Sequence, residues 1–202
     1  MFLSGRNRMK KKQNIIIFVS GNGSNMSQII SHFEENEHIS VSHVFSNKKG
    51  CLGVKNAEKA GVESIVFSKK ELENDDFTAF LTKLSPDLIV LAGFLLKIPL
   101  DFTNAFRNKI INIHPSLLPK HGGKGMYGDR VHQSVKDAGD KETGISIHYV
   151  NENYDEGSII FQAKVEVAEE DSISQIAHKV HQLEYKHFPE VIQKILFPKN
   201  VG

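Results

Sequence analysis

The chain has 202 residues, 40% of them hydrophobic and 24% charged, enough for one domain with a substantial core and too few for two ordinary ones. A formal net charge of +1 gives no basic field for nucleic acid or an anionic membrane, and no stretch reaches the ~18 apolar residues that cross a bilayer. Cys51 is the only cysteine, which excludes an intrachain disulfide framework and favours a reducing, cytoplasmic compartment.

Residues 1–13 are charged and lack an apolar segment of signal-peptide length. They are expected to be a disordered tail, or a start placed too early with Met9 as the true one, ahead of a single domain over 14–202. Asn14 to Ser20 is a continuous β-branched run, the pattern of a strand buried on both faces. After Gly21-Asn22-Gly23-Ser24-Asn25, a helix is expected from Met26, Ile29, Ile30 and Phe33 at helical spacing. Val41 to Ser46 reads as a strand, Leu52 to Ala60 as a helix stopped by Gly61, and Ser64 to Phe67 as a short extended piece. Glu71 to Leu84 is amphipathic and is expected to form one helix. Leu88 to Ala92 and Ile110 to Ile113 are two more buried strands.

Beyond Gly144 the pattern changes to alternation, Ile145, Ile147 and Tyr149 in one segment and Ile159, Phe161, Ala163 and Val165 in another. Half-buried antiparallel strands at the end of the sheet are expected there. Ser172 with Gln175 has capping-box spacing and opens a long closing helix through Ile176, Val180, Leu183, Val191 and Ile195. The fold class is therefore α/β: a single Rossmann-like domain, its mostly parallel sheet covered by helices on both faces, with an antiparallel extension near the C-terminus.

Three places carry chemistry. The glycine loop 21–25 joins the first strand to the first helix, where free N–H groups attract an anion, and Ser24 and Asn25 add donors. A monophosphate fits better than a dinucleotide, because Met26 stands where a third glycine belongs and Ser46-Asn47 offers no acid for a ribose. Asn112 and His114 leave one face of a buried strand at its carboxyl end, so an amide donor and an imidazole converge where ligands of such sheets bind. Together they can hold a carbonyl oxygen and exchange a proton beside it. Asp155 sits in the polar turn 151–157, which by itself reads as a solvated acid. His178 and His181 share a helix face without a third ligand, so no metal is expected. Four glycines in 121–128 raise the expectation of a mobile lid.

Four segments, IIIFVSGNGSN from Ile15, PDLIVLAGF from Pro86, INIHPSLLPK from Ile111 and TGISIHYVNENYDEGSIIFQAKV from Thr143, together resemble the phosphoribosylglycinamide formyltransferases, folate-dependent members of the formyltransferase superfamily. The resemblance implies formyl transfer from 10-formyltetrahydrofolate to the amine of 5′-phosphoribosylglycinamide, with small-molecule partners, no nucleic acid, no membrane and no metal; it leaves monomer or homodimer open. It also implies Asn112, His114 and Asp155 as catalytic residues, with Asp155 raising the pKa of His114. Gly23, Ser24 and Asn25 would bind phosphate and Glu184 the ribose. Leu95, Leu96, Lys97 and Ile98, with Asn112 and Lys70, would meet the folate. Leu96 stands where relatives often carry Arg, and His181 where they carry Lys or Gln. Within the superfamily, methionyl-tRNA formyltransferase would need a further nucleic-acid-binding domain, and formyltetrahydrofolate deformylase a regulatory domain ahead of the catalytic one. A phosphosugar-binding module without catalysis is the alternative from another class.

Overall fold

The computed structural model describes residues 11–198, so all but the last three residues of the expected tail lie outside the described residues. The first strand, β1 (Gln13–Val19), already begins at Gln13. It is followed by α1 (Ser24–Phe33), β2 (Ile39–Ser46), α2 (Leu52–Lys59), β3 (Glu63–Val66), α3 (Lys69–Leu72) and α4 (Asp75–Leu84). The second half contains β4 (Leu88–Leu91), α5 (Leu100–Ala105), β5 (Ile110–His114), α6 (Asp129–Asp137), β6 (Glu142–Tyr149), β7 (Ile159–Glu166) and α7 (Ile173–Leu196).

The strands form one seven-stranded sheet in the order β3-β2-β1-β4-β5-β6-β7. Strands β3 to β5 in that order pair in parallel, whereas β6 and β7 pair antiparallel, which is the extension expected from the change to alternation. The chain winds outward from β1 in one direction and from β4 in the other. This reversal opens a crevice at the strands' carboxyl ends, the place where such sheets take ligands.

Successive residues of β1 feed opposite faces, as a strand's period of two requires. Ile15, Ile17 and Val19 join Met26, Ile29, Val180, Phe188 and Ile192 beneath α1 and α7. Ile16 and Phe18 join Phe45, Leu81, Phe94 and Phe102 on the other face. Phe18 stacks on Phe45 with ring centroids 5.2 Å apart and meets Phe94 edge-on at 5.3 Å. Each such buried side chain contributes ~1.5–3 kcal/mol, so the two layers clamp the sheet whose rim carries the site.

Three features differ from the sequence reading. The single helix expected over Glu71 to Leu84 is two helices. Ser68 and Glu71 close a capping box on α3, and the Asn74 side chain then accepts the Asp76 N–H at 3.0 Å to start α4. Asn74 competes with helix propagation by offering the backbone a local partner. Helices α5 and α6 were not expected, since each is short and buries few apolar side chains; in α6 only Val131, His132 and Val135 are buried. Strand β6 is buried on both faces, not one: Ser146 is 0% exposed and His148 2%.

Candidate active site

Helix α1 starts at Gly23, whose φ of 72° is left-handed and which carries no capping side chain. The first N–H groups of α1 therefore lack partners within the helix and face the crevice. A side chain at Gly23 would put its Cβ 2.8 Å from the Gly53 Cα, so the loop and α2 touch only because both residues are glycine. Ser20 ties this loop to the next strand end: its hydroxyl donates to Asn47 Oδ1 at 2.6 Å and accepts the Leu95 N–H at 2.9 Å.

A cavity of about 430 Å³ lies in the crevice. Its walls bring together Gly23, Ser24, Asn25 and Glu184 with Asn112, His114 and Asp155, and Leu95 closes one side. Asn25 Nδ2 donates to Glu184 Oε2 at 2.9 Å. Burial pushes the Glu184 carboxyl up to about 7, against the Asn25 hydrogen bond. His181 also lines the cavity, its pKa held below the ordinary value by burial and by His178, with Asp129 opposing.

Asn112 and His114 project from the end of β5, and Asp155 reaches them from the β6–β7 loop at a left-handed φ of 57°. His114 Nε2 lies 2.9 Å from the His121 carbonyl oxygen. A carbonyl only accepts, so this nitrogen carries the hydrogen and Nδ1 of the neutral ring is bare. Nδ1 lies 3.5 Å from Asp155 Oδ2, and that same oxygen accepts the Gly123 N–H at 2.9 Å.

Asp155 acts on His114 in the expected direction, favouring the imidazolium, but it does not decide the net shift. Burial outweighs the carboxylate and holds the imidazole below its ordinary value, because His114 is only 3% exposed. Asp155 stays ionised: burial works against it, but His148, His114 and the Gly123 N–H together hold its pKa below the usual carboxylate range.

A second cavity opens beyond Asn112 and Asp155, which line both. Leu96, Lys97 and Ile98 line this one with Leu91, Val150 and Tyr154. Leu96 thus supplies part of its apolar wall. Lys97 places its ammonium over the Tyr154 ring, 5.9 Å from the centroid. Lys70 lines neither cavity; it is exposed on α3. Cys51 is the N-cap residue of α2 and belongs to neither wall.

Sequence reading missed two histidines. His148 faces Asn112 across the β5–β6 pair, its Nε2 3.1 Å from Asn112 Nδ2 and its Nδ1 2.8 Å from the Tyr149 carbonyl. Nδ1 donates to that carbonyl, which only accepts, and Nε2 is thereby aimed at both the Asn112 amide and Asp155 Oδ1, the latter 3.7 Å away. Gly157 preserves the arrangement, since a Cβ there would strike the same Tyr149 carbonyl. The signal in the sequence is that Ser146 and His148 alternate with apolar residues, a pattern that a half-buried strand also gives. His132 of α6 also lines the main cavity, and burial with nearby His181 lowers its pKa to about 4. The 121–128 segment is tied at its start by the His121 carbonyl, which accepts from His114, and the Gly123 N–H, which donates to Asp155. Among the described residues no group of three or more His, Cys, Asp or Glu side chains could hold a metal ion, and no helix is long and apolar enough to cross a membrane.

Residues 13–192 match the family model described as formyl transferase. The chain is 38% identical over 191 residues to phosphoribosylglycinamide formyltransferase of Haemophilus influenzae, covering 92% of this chain and 86% of the relative. It is 38% identical over 192 residues to that of Bacillus subtilis, covering 92% and 96%. Among solved structures, phosphoribosylglycinamide formyltransferase from Anaplasma phagocytophilum superposes with a TM-score of 0.83 at 32% identity over 92% of this chain and 88% of the other. The Brucella melitensis structure of the same name gives 0.82 at 35% identity over 93% and 97%.

Proposed function

Because the chain belongs to the formyl transferase family, we propose that its crevice performs the reaction for which these relatives are named. The enzyme transfers a formyl group from 10-formyltetrahydrofolate to the amine of 5′-phosphoribosylglycinamide, a step of purine biosynthesis, and works in the cytoplasm on small molecules alone. The observation that carries the reading is the meeting of two cavities at Asn112 and Asp155, one against an uncapped helix start and the other lined by Leu91, Phe94, Leu96, Ile98 and Val150 together with polar groups of the 151–155 turn.

The ribotide phosphate takes the free N–H groups at Gly23, Ser24 and Asn25, with Glu184 beside the ribose. Leu95 to Ile98 and Asn112 hold the folate, whose flat ring suits the apolar walls of the second cavity. The folate supplies the formyl carbon. Amine attack on that carbon forms a C–N bond, breaks the bond to the folate nitrogen, and moves one proton from the amine to that nitrogen.

Asn112 donates an N–H to the formyl oxygen as negative charge develops there, and removing one such donor typically costs ~10²–10³ in rate. His114 enters the reaction neutral. The growing charge beside it offsets the penalty of burial, so bare Nδ1, facing Asp155, can then hold the amine proton. Asp155, ionised at the outset, takes that proton from Nδ1 through water and passes it to the leaving folate nitrogen, which returns the carboxylate to its charged form.

The test mixes the protein with the ribotide and a 10-formylfolate donor and follows the deformylated folate by absorbance. Turnover that requires the ribotide and disappears in His114→Ala is the expected result. Folate release without the ribotide would replace this reading with deformylation, and no release at all with ligand binding alone.

A further inference from the structure

We propose that the His121 side chain is a positioning residue for His114: clamped by Asp140 and Ser134, it fixes the main-chain carbonyl that receives the His114 Nε2–H. The proposal rests on reading His114 as the group that carries the proton. His121 is outside the main cavity, and its role is through the loop it anchors.

The geometry is a continuous chain of bonds. His121 Nε2 lies 2.9 Å from Asp140 Oδ2 and Nδ1 2.7 Å from Ser134 Oγ. The carboxylate accepts from Nε2–H and the bare Nδ1 accepts the serine hydroxyl, so a neutral ring satisfies both. Lys120 holds the other Asp140 oxygen at 3.1 Å. These bonds pin the residue to α6 and to the turn before β6. Its backbone adopts φ 54°, a left-handed conformation disfavoured for a residue with a Cβ. An outside anchor is what keeps it there, and in that conformation its carbonyl meets His114 Nε2 at 2.9 Å. Two residues later the Gly123 N–H reaches Asp155, so one short loop orients both members of the catalytic pair.

The consequence is a choice of tautomer. With the carbonyl in place the hydrogen sits on Nε2, and Nδ1 is the nitrogen presented toward Asp155 and the reacting groups. With the carbonyl displaced, the hydrogen can move to Nδ1, donate to Asp155, and leave His114 unable to take a proton there. The titratable groups around His114 are Asp155, His148, His121 and, on α6, His132. Of these influences the His121 carbonyl and Asp155 favour the imidazolium, whereas burial, His148 and any charge on the His121 ring disfavour it. Loosening the carbonyl therefore moves the His114 titration to lower pH.

The test uses ¹⁵N-histidine NMR of the ligand-free protein, which reports tautomer and titration without any reaction, beside kcat against pH. His121→Asn tolerates the left-handed backbone but loses the clamp. The expected result is loss of the single Nε2–H signature of His114 and a lower titration midpoint. A kcat about tenfold lower should accompany them, with the ribotide KM within about twofold, since small misplacements act on the chemical step. Asp140→Ala should behave alike and Asp140→Asn, which still offers an oxygen to Nε2–H, should restore most of the loss. Wild-type tautomer, midpoint and kcat in both His121→Asn and Asp140→Ala would overturn the proposal, showing that the loop holds itself. If the wild-type protein transferred no formyl group, the proposed function would fall while the tautomer comparison remained readable.

Discussion

The two halves of the crevice are built by different means. On the β1 side the crevice offers main chain: Gly23 starts α1 without a capping side chain, and Ser20 holds the 93–95 strip, its N–H donating to the Gly93 carbonyl and its hydroxyl accepting the Leu95 N–H. On the β5–β6 side it offers side chains, with Asn112, His114, His148 and Asp155 each oriented by another group. Main-chain donors are fixed by the fold and do not titrate, which suits holding a phosphate that is the same before and after reaction. Side chains can change protonation and hydrogen bonding during a reaction, which suits the formyl and amine groups. Binding and rate should therefore separate along this line.

The largest effect expected is on rate. His114→Ala should lower kcat by ~10³ while leaving the ribotide KM nearly unchanged, because a proton-transfer group and an oxyanion neighbour are removed together. Steady-state kinetics at saturating folate decide it. A change confined to KM would erase the division between the two halves.

Glu184 sharpens the comparison, as the ionisable side chain on the main-chain side. Its folded pKa of about 7 lies above that of an unfolded glutamate, so the folded protein holds the extra proton between ~4.5 and 7. Stability contributed by that proton is present below the unfolded pKa and is lost as pH rises through the folded one, by about 3 kcal/mol in all. Urea unfolding at pH 5 and pH 8 should show most of this fall in the wild type relative to Glu184→Gln, because the lowered pKa values of His114, His132 and His181 act in the opposite direction in both proteins alike. An equal fall in both proteins would mean that Glu184 titrates normally.

Gly23→Ala is the counterpart to the histidine variant. A methyl at a φ of 72° and 2.8 Å from Gly53 Cα distorts the loop. The expected result is a ribotide KM raised about tenfold with kcat little altered. A loss of kcat at unchanged KM would place the loop in the chemistry instead. The smallest effect is Ser172→Ala, which opens the capping box of α7 and should cost about 1 kcal/mol of stability in urea without moving either kinetic constant. Altered kinetics there would show that α7, which carries His181 and Glu184, transmits its end to the site.

Much of this organisation is determined by sequence alone. Continuous β-branched runs such as Ile15 to Val19 bury both faces and so demand a parallel sheet with helices above and below, and a glycine loop between strand and helix marks an anion site. Asn112 and His114, two apart on one strand, must share a face. What the tertiary structure decided depends on residues distant in sequence. Asp155 is an ordinary turn acid until the β5–β6–β7 pairing brings its loop to within 3.5 Å of His114. His148 reads as a polar outward position until pairing with Asn112 buries it. The pKa of His114 went the other way from the simple pairwise expectation, because charge at a known neighbour is local information whereas the depth of burial belongs to the whole fold. Periodicity and local chemistry are carried by adjacent residues; register, burial and the orientation of His121 arise only when the chain is closed on itself.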